Sequence, residues 1–252
     1  KRDFSDVLAN NPYIDNTLYV DNNLSEIIKQ LKMVGYDYVV DLHHNMRSLK
    51  VKRALSAKKY SFKKLNIEKW IYVNFKINKL PHKHIVDRYF DAISPMGVVN
   101  DGQGLDYFIN PLDEVDINTF LPASFSLGYV AFVIGAKHAT KCLPIDKMKE
   151  VVSGLKHQVV LLGGFEDKQK GIELQKMFPK SVFNACGITS IGQSASLIKQ
   201  SKAVITHDTG LMHIAAALRK KIISVWGNTV PEFGMYPYLP VNSVPFSISE
   251  VK

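Results

Sequence analysis

The chain has 252 residues, of which 46% are hydrophobic and 22% charged. This content is sufficient to bury a core and excludes wholesale disorder. The longest apolar run, residues 130–136, is far shorter than the roughly 20 residues that span a bilayer. The two cysteines, Cys142 and Cys186, form no disulfide framework and are typical of a reducing cytoplasm. The length suits one large α/β domain or two domains of ordinary size.

The net charge of +9 is concentrated in one part of the chain. Residues 47–88 contain thirteen basic side chains against two acidic ones, Glu68 and Asp87. Such a segment predicts a partner that carries phosphates, namely a nucleic acid, an anionic membrane or a phosphorylated substrate. A solvated helical face explains the lysines equally well. Nucleic acid is the weakest of these partners, because no helix-turn-helix pattern and no aromatic RNA-binding motif accompany the charge.

The first part of the chain alternates short strands with helices, as parallel α/β folds do. Apolar residues one helical turn apart from Leu24 onward predict a helix that Gly35 ends. In chain order we predict a strand at 17–20, a helix at 24–33, a strand at 37–41 and helices at 46–56, 67–77 and 84–93. Residues 110–122 lack a period and include two prolines, which predicts a linker.

The alternation is cleaner after this linker. We predict strands at 128–134, 158–162, 181–183, 203–206 and 222–225, and helices at 145–155, 168–178, 191–200 and 211–218. The pattern predicts an α/β fold of two Rossmann-like lobes, an N-terminal lobe over residues 1–122 and a C-terminal lobe over residues 123–252.

Open parallel sheets bind ligands beyond the carboxyl ends of their strands, so the loops there hold the candidate site. The strongest of these loops precedes the predicted helix at 211–218. Asp208 and Thr209 are good N-cap residues, and Gly210 lets a ligand approach the backbone. The N–H groups of Thr209, Gly210 and Leu211 would suit a phosphate at the positive end of the helix. Helix capping alone explains these residues equally well, and His213 is as good a packing residue as a ligand contact.

Two further loops of the same lobe add to this prediction. In residues 135–144, Lys137 and Lys141 would neutralise a diphosphate, although exposed loop lysines need no ligand. In the loop after the next strand, two glycines precede Glu166 and Asp167, and either acid would bind ribose hydroxyls. A helix cap is an equally good interpretation of Asp167. Together the three loops predict a site for a nucleoside diphosphate.

The N-terminal lobe has one polar loop of the same kind, residues 41–48. It contains His43, His44, Asn45 and Arg47, too polar a set for a simple connector. Adjacent histidines point apart on most backbones, and no cysteine pair or second histidine motif stands near them. We therefore predict no metal site. The sequence also lacks the dinucleotide-binding glycine fingerprint, the Walker loop and the hydrolase nucleophile elbow.

Two blocks, residues 207–217 and 222–229, resemble the nucleotide-sugar signature of glycosyltransferase family 9. That family contains the ADP-heptose:lipopolysaccharide heptosyltransferases. Residues 135–144 are similar to its Gly-Ala…Lys-x-x-Pro segment, residues 162–167 to its Gly-Gly…Glu loop and residues 41–48 to its Asp-Leu…Arg-Ser motif. The resemblance covers nearly the whole chain in the right order, and its Asp-Thr-Gly-Leu-Met-His block is specific.

The resemblance implies a GT-B fold, in which two Rossmann-like lobes face a cleft, and an inverting transfer that requires no metal and no cofactor. The donor set that it implies is Lys141, Glu166, Asp208, Thr209, Gly210, Leu211 and His213, and the acceptor set is His43, Asn45 and Arg47. In this scheme the amides of residues 209–211 hold the diphosphate and Lys141 binds a phosphate. Asp208 contacts the donor sugar, Glu166 binds the ribose and His213 supports the loop.

The resemblance further implies a nucleotide-sugar donor, ADP-heptose, and a phosphorylated glycolipid acceptor, the lipopolysaccharide core. It implies a cytoplasmic protein associated peripherally with the anionic inner face of the bacterial inner membrane, with no nucleic-acid partner. The family's opening strand and its Gly-Asp loop, which carries the catalytic aspartate, have no counterpart here, nor has its tail after Val244. We therefore predict that the chain is a piece of a longer protein, with an incomplete N-terminal lobe and without its catalytic base.

Two alternatives remain open at this point. One is another GT-B transferase, or an epimerase, that uses a UDP-sugar. The other is a non-catalytic scaffold that binds a nucleotide-sugar or anionic lipid. Neither the acceptor nor the oligomeric state follows from the sequence.

Overall fold

The computed structural model describes residues 2–20 and 23–243, and their contacts divide the chain into two compact units. Unit 1 comprises the described residues up to Asn100 together with Phe108–Glu114 and Trp226–Tyr236. Unit 2 comprises Asp101–Tyr107, Val115–Val225 and the described residues from Pro237 onward. The long segment of unit 2 thus begins inside the predicted linker, and the lobe boundary after residue 122 stays a prediction.

Unit 1 is built on a small parallel sheet of two strands. These are β1, Tyr38–Asp41, and β2, Lys58–Ser61, paired in register from Tyr38 opposite Lys58 to Asp41 opposite Ser61. Its helices are α1, Leu24–Val34; α2, Met46–Ala54; α3, Asn66–Phe75; and α4, Ile85–Ile93. All four helices were predicted, to within two residues at either end.

Two strand assignments in this unit differ from the prediction. The strand predicted at residues 17–20 is wrong, because this stretch belongs to neither of the two sheets that the described residues form. Strand β2 escaped prediction since Lys58 and Lys59 break any apolar alternation. A strand forms only where another strand supplies hydrogen bonds, and β1 supplies them to β2.

Unit 2 is a parallel sheet of five strands in the order β5-β4-β3-β6-β7. The strands are β3, Tyr129–Val133; β4, Gln158–Leu162; β5, Val182–Asn184; β6, Ala203–His207; and β7, Ile222–Val225. A short helix, α5, Ile117–Phe120, precedes them, and the connecting helices are α6, Ile145–Gly154; α7, Lys168–Met177; α8, Ile191–Gln200; and α9, Gly210–Ala217.

The core of unit 2 lies on both faces of this sheet. Every residue of β3 is buried, and alternate side chains enter opposite apolar clusters: Tyr129 and Val133 lie in one, Val130 and Phe132 in the other. A strand buried on both faces is typical of a parallel sheet covered by helices. The predicted α/β class with parallel sheets is thereby confirmed.

None of the helices in the described part of the chain is both long enough and apolar enough to cross a membrane.

Candidate functional site

The strand order of unit 2 reverses at β3, which marks the place where a ligand is expected. From β3 the chain proceeds outward through β4 to β5, and it then returns to the other side of β3 as β6 and β7. The loops after β3 and β6 therefore flank a crevice at the carboxyl edge of the sheet. These are two of the three loops that the sequence singles out.

Lys141 and Asp208, one from each of these loops, form an ion pair. Lys141 Nζ lies 2.6 Å from Asp208 Oδ2, and the Asp208 side chain is only 9% exposed. The sequence predicts both residues at a donor site but does not predict their contact. A nearly buried carboxylate requires a partner, because an unpaired charge in such a place is costly. The pair therefore fixes both side chains at the crevice.

The first turn of α9 presents free backbone donors beside this pair. Thr209 is the N-cap residue, and its Oγ1 accepts a hydrogen bond from the Met212 N–H at 3.4 Å. The N–H groups of Gly210 and Leu211 find no acceptor among the described residues. A side chain added at Gly210 would meet only open space, so the helix end is accessible. Since Thr209 caps the helix, Asp208 is left to pair with Lys141.

His213 lies one turn into α9 and is half-buried. Burial lowers the pKa of its imidazole, with Asp208 opposing this shift and Lys141 adding to it. The ring is therefore neutral at neutral pH. The charges of Lys141 and Asp208 both act on this ring, and its role in supporting the loop stays a prediction.

His207 is the last residue of β6 and directly precedes Asp208. The sequence analysis assigned it no role. It is fully buried, and its Nε2 accepts a hydrogen bond from the Leu143 N–H at 2.9 Å. Its Nδ1 makes no hydrogen bond of good geometry within the described chain. Burial lowers the pKa of His207 to about 4, against the effect of the Val133 backbone. The neutral ring thus fastens the end of the β3 loop to β6, and a histidine ending an apolar strand was its only signal in the sequence.

The two acidic residues of the third loop, after β4, lie in different surroundings. Asp167 is buried, and its Oδ2 accepts a hydrogen bond from the Gly164 N–H at 3.1 Å. The same carboxylate lies against Gly135, where any added side chain would collide with it. Asp167 therefore ties the β3 and β4 loops together. Glu166 is the exposed carboxylate of this loop, and its contact with a ribose stays a prediction.

In unit 1, the loop after β1 is organised around a buried carboxylate. Asp41 Oδ1 accepts from the backbone N–H groups of His43 and His44, and Oδ2 accepts from the Ser48 hydroxyl. Burial acts to raise the pKa of Asp41, but these hydrogen bonds outweigh it and lower the pKa. His44 Nδ1 lies 3.0 Å from the Phe62 carbonyl, so its ring is engaged within the unit.

The three predicted acceptor residues differ in the hydrogen bonding and exposure of their side chains. Asn45 is the N-cap of α2: its side chain accepts from the Ser48 N–H, while the Ser48 hydroxyl accepts from the Asn45 N–H. His43 and Arg47 are exposed on either side of it. Helix capping is therefore sufficient to explain an asparagine at position 45. The contact of all three residues with an acceptor stays a prediction.

Within the described residues, no group of three or more His, Cys, Asp or Glu side chains could hold a metal ion. The sequence-based expectation that no metal is required stays a prediction.

Two curated proteins similar to part of this chain are both named as heptosyltransferases. Lipooligosaccharide heptosyltransferase 2 of Haemophilus influenzae is 33% identical over 91 residues, which is 34% of this chain and 26% of that protein. Lipopolysaccharide heptosyltransferase 2 of Escherichia coli is 36% identical over 81 residues, 31% of this chain and 23% of that protein. The chain thus matches only about a quarter of the length of these relatives.

Two solved structures show the same fold over most of the chain. A glycosyl transferase family 9 protein from Veillonella parvula superposes with a TM-score of 0.76 at 20% identity and covers 100% of this chain and 77% of that one. The E. coli ADP-heptose lps heptosyltransferase II superposes with a TM-score of 0.71 at 20% identity, covering 93% and 76%.

The sequence model of glycosyltransferase family 9 (heptosyltransferase) matches residues 24–244. This range includes most of both units and each of the four loops described above. The resemblance found in the sequence is confirmed, and the chain belongs to glycosyltransferase family 9, the heptosyltransferase family.

Proposed function

We propose that the protein transfers a heptose from ADP-heptose to a lipopolysaccharide core acceptor, with inversion at the sugar carbon and without a metal or cofactor. The observation that carries this proposal is the Lys141–Asp208 ion pair at the sheet crevice, beside the open first turn of α9. Family membership supports the class of reaction. The donor named for the E. coli structural neighbour supports ADP-heptose.

The ion pair suits a ligand that carries both a diphosphate and a sugar. A diphosphate is attracted to the positive end of α9 and to the N–H groups of Thr209, Gly210 and Leu211. The Lys141 ammonium, held at the same crevice by Asp208, can pair with it, and the Asp208 carboxylate is then free to accept hydrogen bonds from sugar hydroxyls. Donor binding would therefore exchange one internal ion pair for two contacts with the ligand.

The same groups would assist departure of the nucleotide. Negative charge grows on the diphosphate as its bond to the sugar breaks, and fixed N–H donors with a lysine stabilise such charge. This arrangement supplies what a metal ion supplies in other transferases. An inverting displacement also needs a base at the acceptor hydroxyl. The residues assigned here do not include that base, which the resemblance assigns to an aspartate of the family's Gly-Asp loop.

Unit 1 carries the features that suit a phosphorylated acceptor. His43 and Arg47 are exposed after β1, and the basic segment of residues 47–88 belongs to the same unit. Each Lys or Arg near an anionic membrane contributes roughly 1 kcal/mol of attraction. We propose that the protein is cytoplasmic and associates peripherally with the inner membrane, where a glycolipid acceptor is held.

Calorimetric titration of the chain with ADP, UDP and GDP tests the donor site. We expect selective binding of ADP that Lys141→Ala weakens. Lys147→Ala is the matched control, because Lys147 is an exposed lysine of unit 2 that pairs only with Glu150 of its own helix among the described residues. Selective binding of UDP would instead favour a UDP-sugar enzyme, and equal effects of the two variants would contradict the assignment of Lys141.

The chemistry is tested by transfer with the complete gene product. With ADP-heptose and a heptose-deficient lipopolysaccharide, we expect a product whose anomeric configuration, measured by NMR, is opposite to that of the donor. A chelator should leave the rate unchanged. Retention of configuration, or loss of activity that added metal restores, would contradict the proposed mechanism. Donor binding without transfer to any glycolipid would favour the scaffold alternative.

A further inference from the structure

Helix α3 of unit 1 exposes the apolar side chains that a helix normally buries. Ile67, Trp70, Val73 and Phe75, with Ile77 just after the helix, are each between 53% and 73% exposed. The rings of Trp70 and Phe75 contact each other edge to face at 5.5 Å. We call these five residues the α3 face. A contiguous exposed apolar surface of this kind marks an interaction site more often than a chance arrangement.

The opposite side of α3 attaches it to its unit through polar and aromatic groups. Glu68 and Lys69 are half-buried, although their neighbours on the α3 face are exposed. The Tyr72 ring lies 5.8 Å from the Phe233 ring, and Lys69 Nζ lies 5.3 Å from the same ring. Ile71 and Tyr72 are half-buried as well, so α3 keeps part of its apolar surface inward and exposes the larger part, unlike an ordinary amphipathic helix. The orientation of α3 is set by these contacts, which leave the α3 face pointing to solvent.

Exposed lysines flank the α3 face along the chain. Residues 63–79 contain five lysines and one glutamate, and Lys63, Lys64, Lys76 and Lys79 are exposed. The aliphatic stem of a lysine lies readily along an apolar surface while its ammonium reaches a polar layer. A surface of lipid headgroups that carry phosphates complements this charge, and the acyl region below complements the apolar residues.

This combination fits a bilayer better than it fits a protein or a nucleic acid. Protein interfaces are depleted in lysine, and nucleic acids offer no apolar layer for five large side chains. Tryptophan is enriched at the membrane interface, and helices that lie in its plane combine an apolar face with lysines. We propose that the α3 face rests on an anionic lipid bilayer. This inference rests on the proposed function and deepens it, since it names the element that meets the membrane.

Vesicle flotation tests the proposal with the full 252-residue chain. We expect binding to equimolar phosphatidylglycerol and phosphatidylcholine vesicles, and much weaker binding to phosphatidylcholine alone. The double variant Ile67→Ser/Trp70→Ser should lose about tenfold or more in partitioning, because it removes two large apolar groups. Leu112→Ser is the matched control, since Leu112 is a 91% exposed apolar residue of the same unit outside α3. Equal losses in both variants, or no binding by the wild type, would overturn the proposal.

Fluorescence provides a measurement that needs no loss of binding. Trp226→Phe leaves Trp70 as the only tryptophan, because the sequence has two. Its emission should shift to shorter wavelength on anionic vesicles, and brominated acyl chains should quench it. An unchanged emission with bound vesicles would show that another surface makes the contact. Lys76→Glu/Lys79→Glu should weaken binding to anionic vesicles and leave binding to neutral ones unaltered; equal binding of this variant and the wild type to anionic vesicles would overturn the role of the lysines.

Two controls separate this proposal from its rivals. Sedimentation of the chain and of Ile67→Ser/Trp70→Ser should give the same molecular mass; dissociation of a dimer by the variant would overturn the proposal in favour of contact between two copies. ADP affinity should be the same in both, because the donor loops lie in unit 2. Vesicle binding through α3 without ADP binding would therefore refute the donor proposal alone, and the reverse result would refute the membrane proposal alone.

Discussion

The two units bury their side chains to very different extents. In unit 2 every residue of β3 is buried, and α8 alone contributes six buried residues. In unit 1, helices α1, α2 and α3 contain no buried residue in the described structure. The sheet of unit 2 has five strands, whereas that of unit 1 has two.

This difference suits the two kinds of binding surface that we propose. A site for a small anionic ligand needs side chains held within a fraction of an ångström, and the buried sheet of unit 2 holds Lys141, Asp208 and His207 in that way. A large lipid partner instead needs exposed area and charge, which α3 and the basic segment of unit 1 provide. The following changes would break or sharpen this contrast.

The largest effect is expected from removing one buried aromatic ring. Phe132→Ala should lower the free energy of unfolding by about 3–5 kcal/mol, because the fully buried ring leaves a cavity in the sheet core. The comparison is Trp70→Ala, which should change the free energy of unfolding by less than about 0.5 kcal/mol because Trp70 is exposed. Urea unfolding of the two variants measures both values, and a large loss from Trp70→Ala would mean that α3 is part of a core.

The next effect is a dependence of stability on pH that His207 causes. The folded state holds this histidine neutral with a pKa of about 4, whereas its ordinary value is 6.5. Between these values the unfolded state binds a proton that the folded state does not. The contribution of His207 to the free energy of unfolding is therefore fully present above about pH 6.5. It falls by about 3 kcal/mol as the pH drops toward 4.

Urea unfolding at about pH 7 and about pH 5 measures this dependence. The free energy of unfolding should depend less steeply on pH in His207→Gln, whose amide oxygen can still accept a hydrogen bond from the Leu143 N–H. His138→Gln is the control, because His138 is an exposed histidine in the loop after β3 that also contains Leu143. Equal slopes in His207→Gln and the wild type would contradict the account.

A smaller effect is expected when the ion pair is divided. Lys141→Ala should weaken ADP binding about 10- to 100-fold, since a charged contact to phosphate is lost. Asp208→Asn should leave ADP affinity nearly unchanged, because Lys141 is then unpaired, and should weaken the additional affinity that the sugar of ADP-heptose provides. Calorimetry with both ligands makes the distinction, and loss of ADP binding in Asp208→Asn would mean that the aspartate only builds the loop.

The smallest effect concerns the loop of unit 1 that we propose for the acceptor. Asn45→Ala should cost about 1 kcal/mol of stability because α2 loses its N-cap, and Asn45→Ser should restore most of it. Thermal unfolding measures both changes. If Asn45→Ser restores stability and transfer to the acceptor together, capping explains this residue; restored stability with reduced transfer would support a contact with the acceptor.

Local patterns in the sequence determined most of the elements of unit 2 and the loops that carry its site. Apolar runs ended by glycine or polar residues predicted all five strands, and the N-cap residue Thr209 is local in the same sense. Where local and tertiary demands diverged, prediction failed. Residues 17–20 have strand propensity but join neither of the sheets that the described residues form, whereas β2 joins β1 without strand propensity.

The sequence by itself determined which residues stand at the carboxyl edge of the parallel sheet, because strand periodicity and turn residues fix where each strand ends. The tertiary structure alone decided which of them meet. Lys141 and Asp208 are 67 residues apart in the chain, and Leu143 and His207 are 64 apart. The packing of β3 against β6 brings both pairs into contact. It likewise decided that α3 faces outward, since helical periodicity defines an apolar side and not the neighbour that it meets.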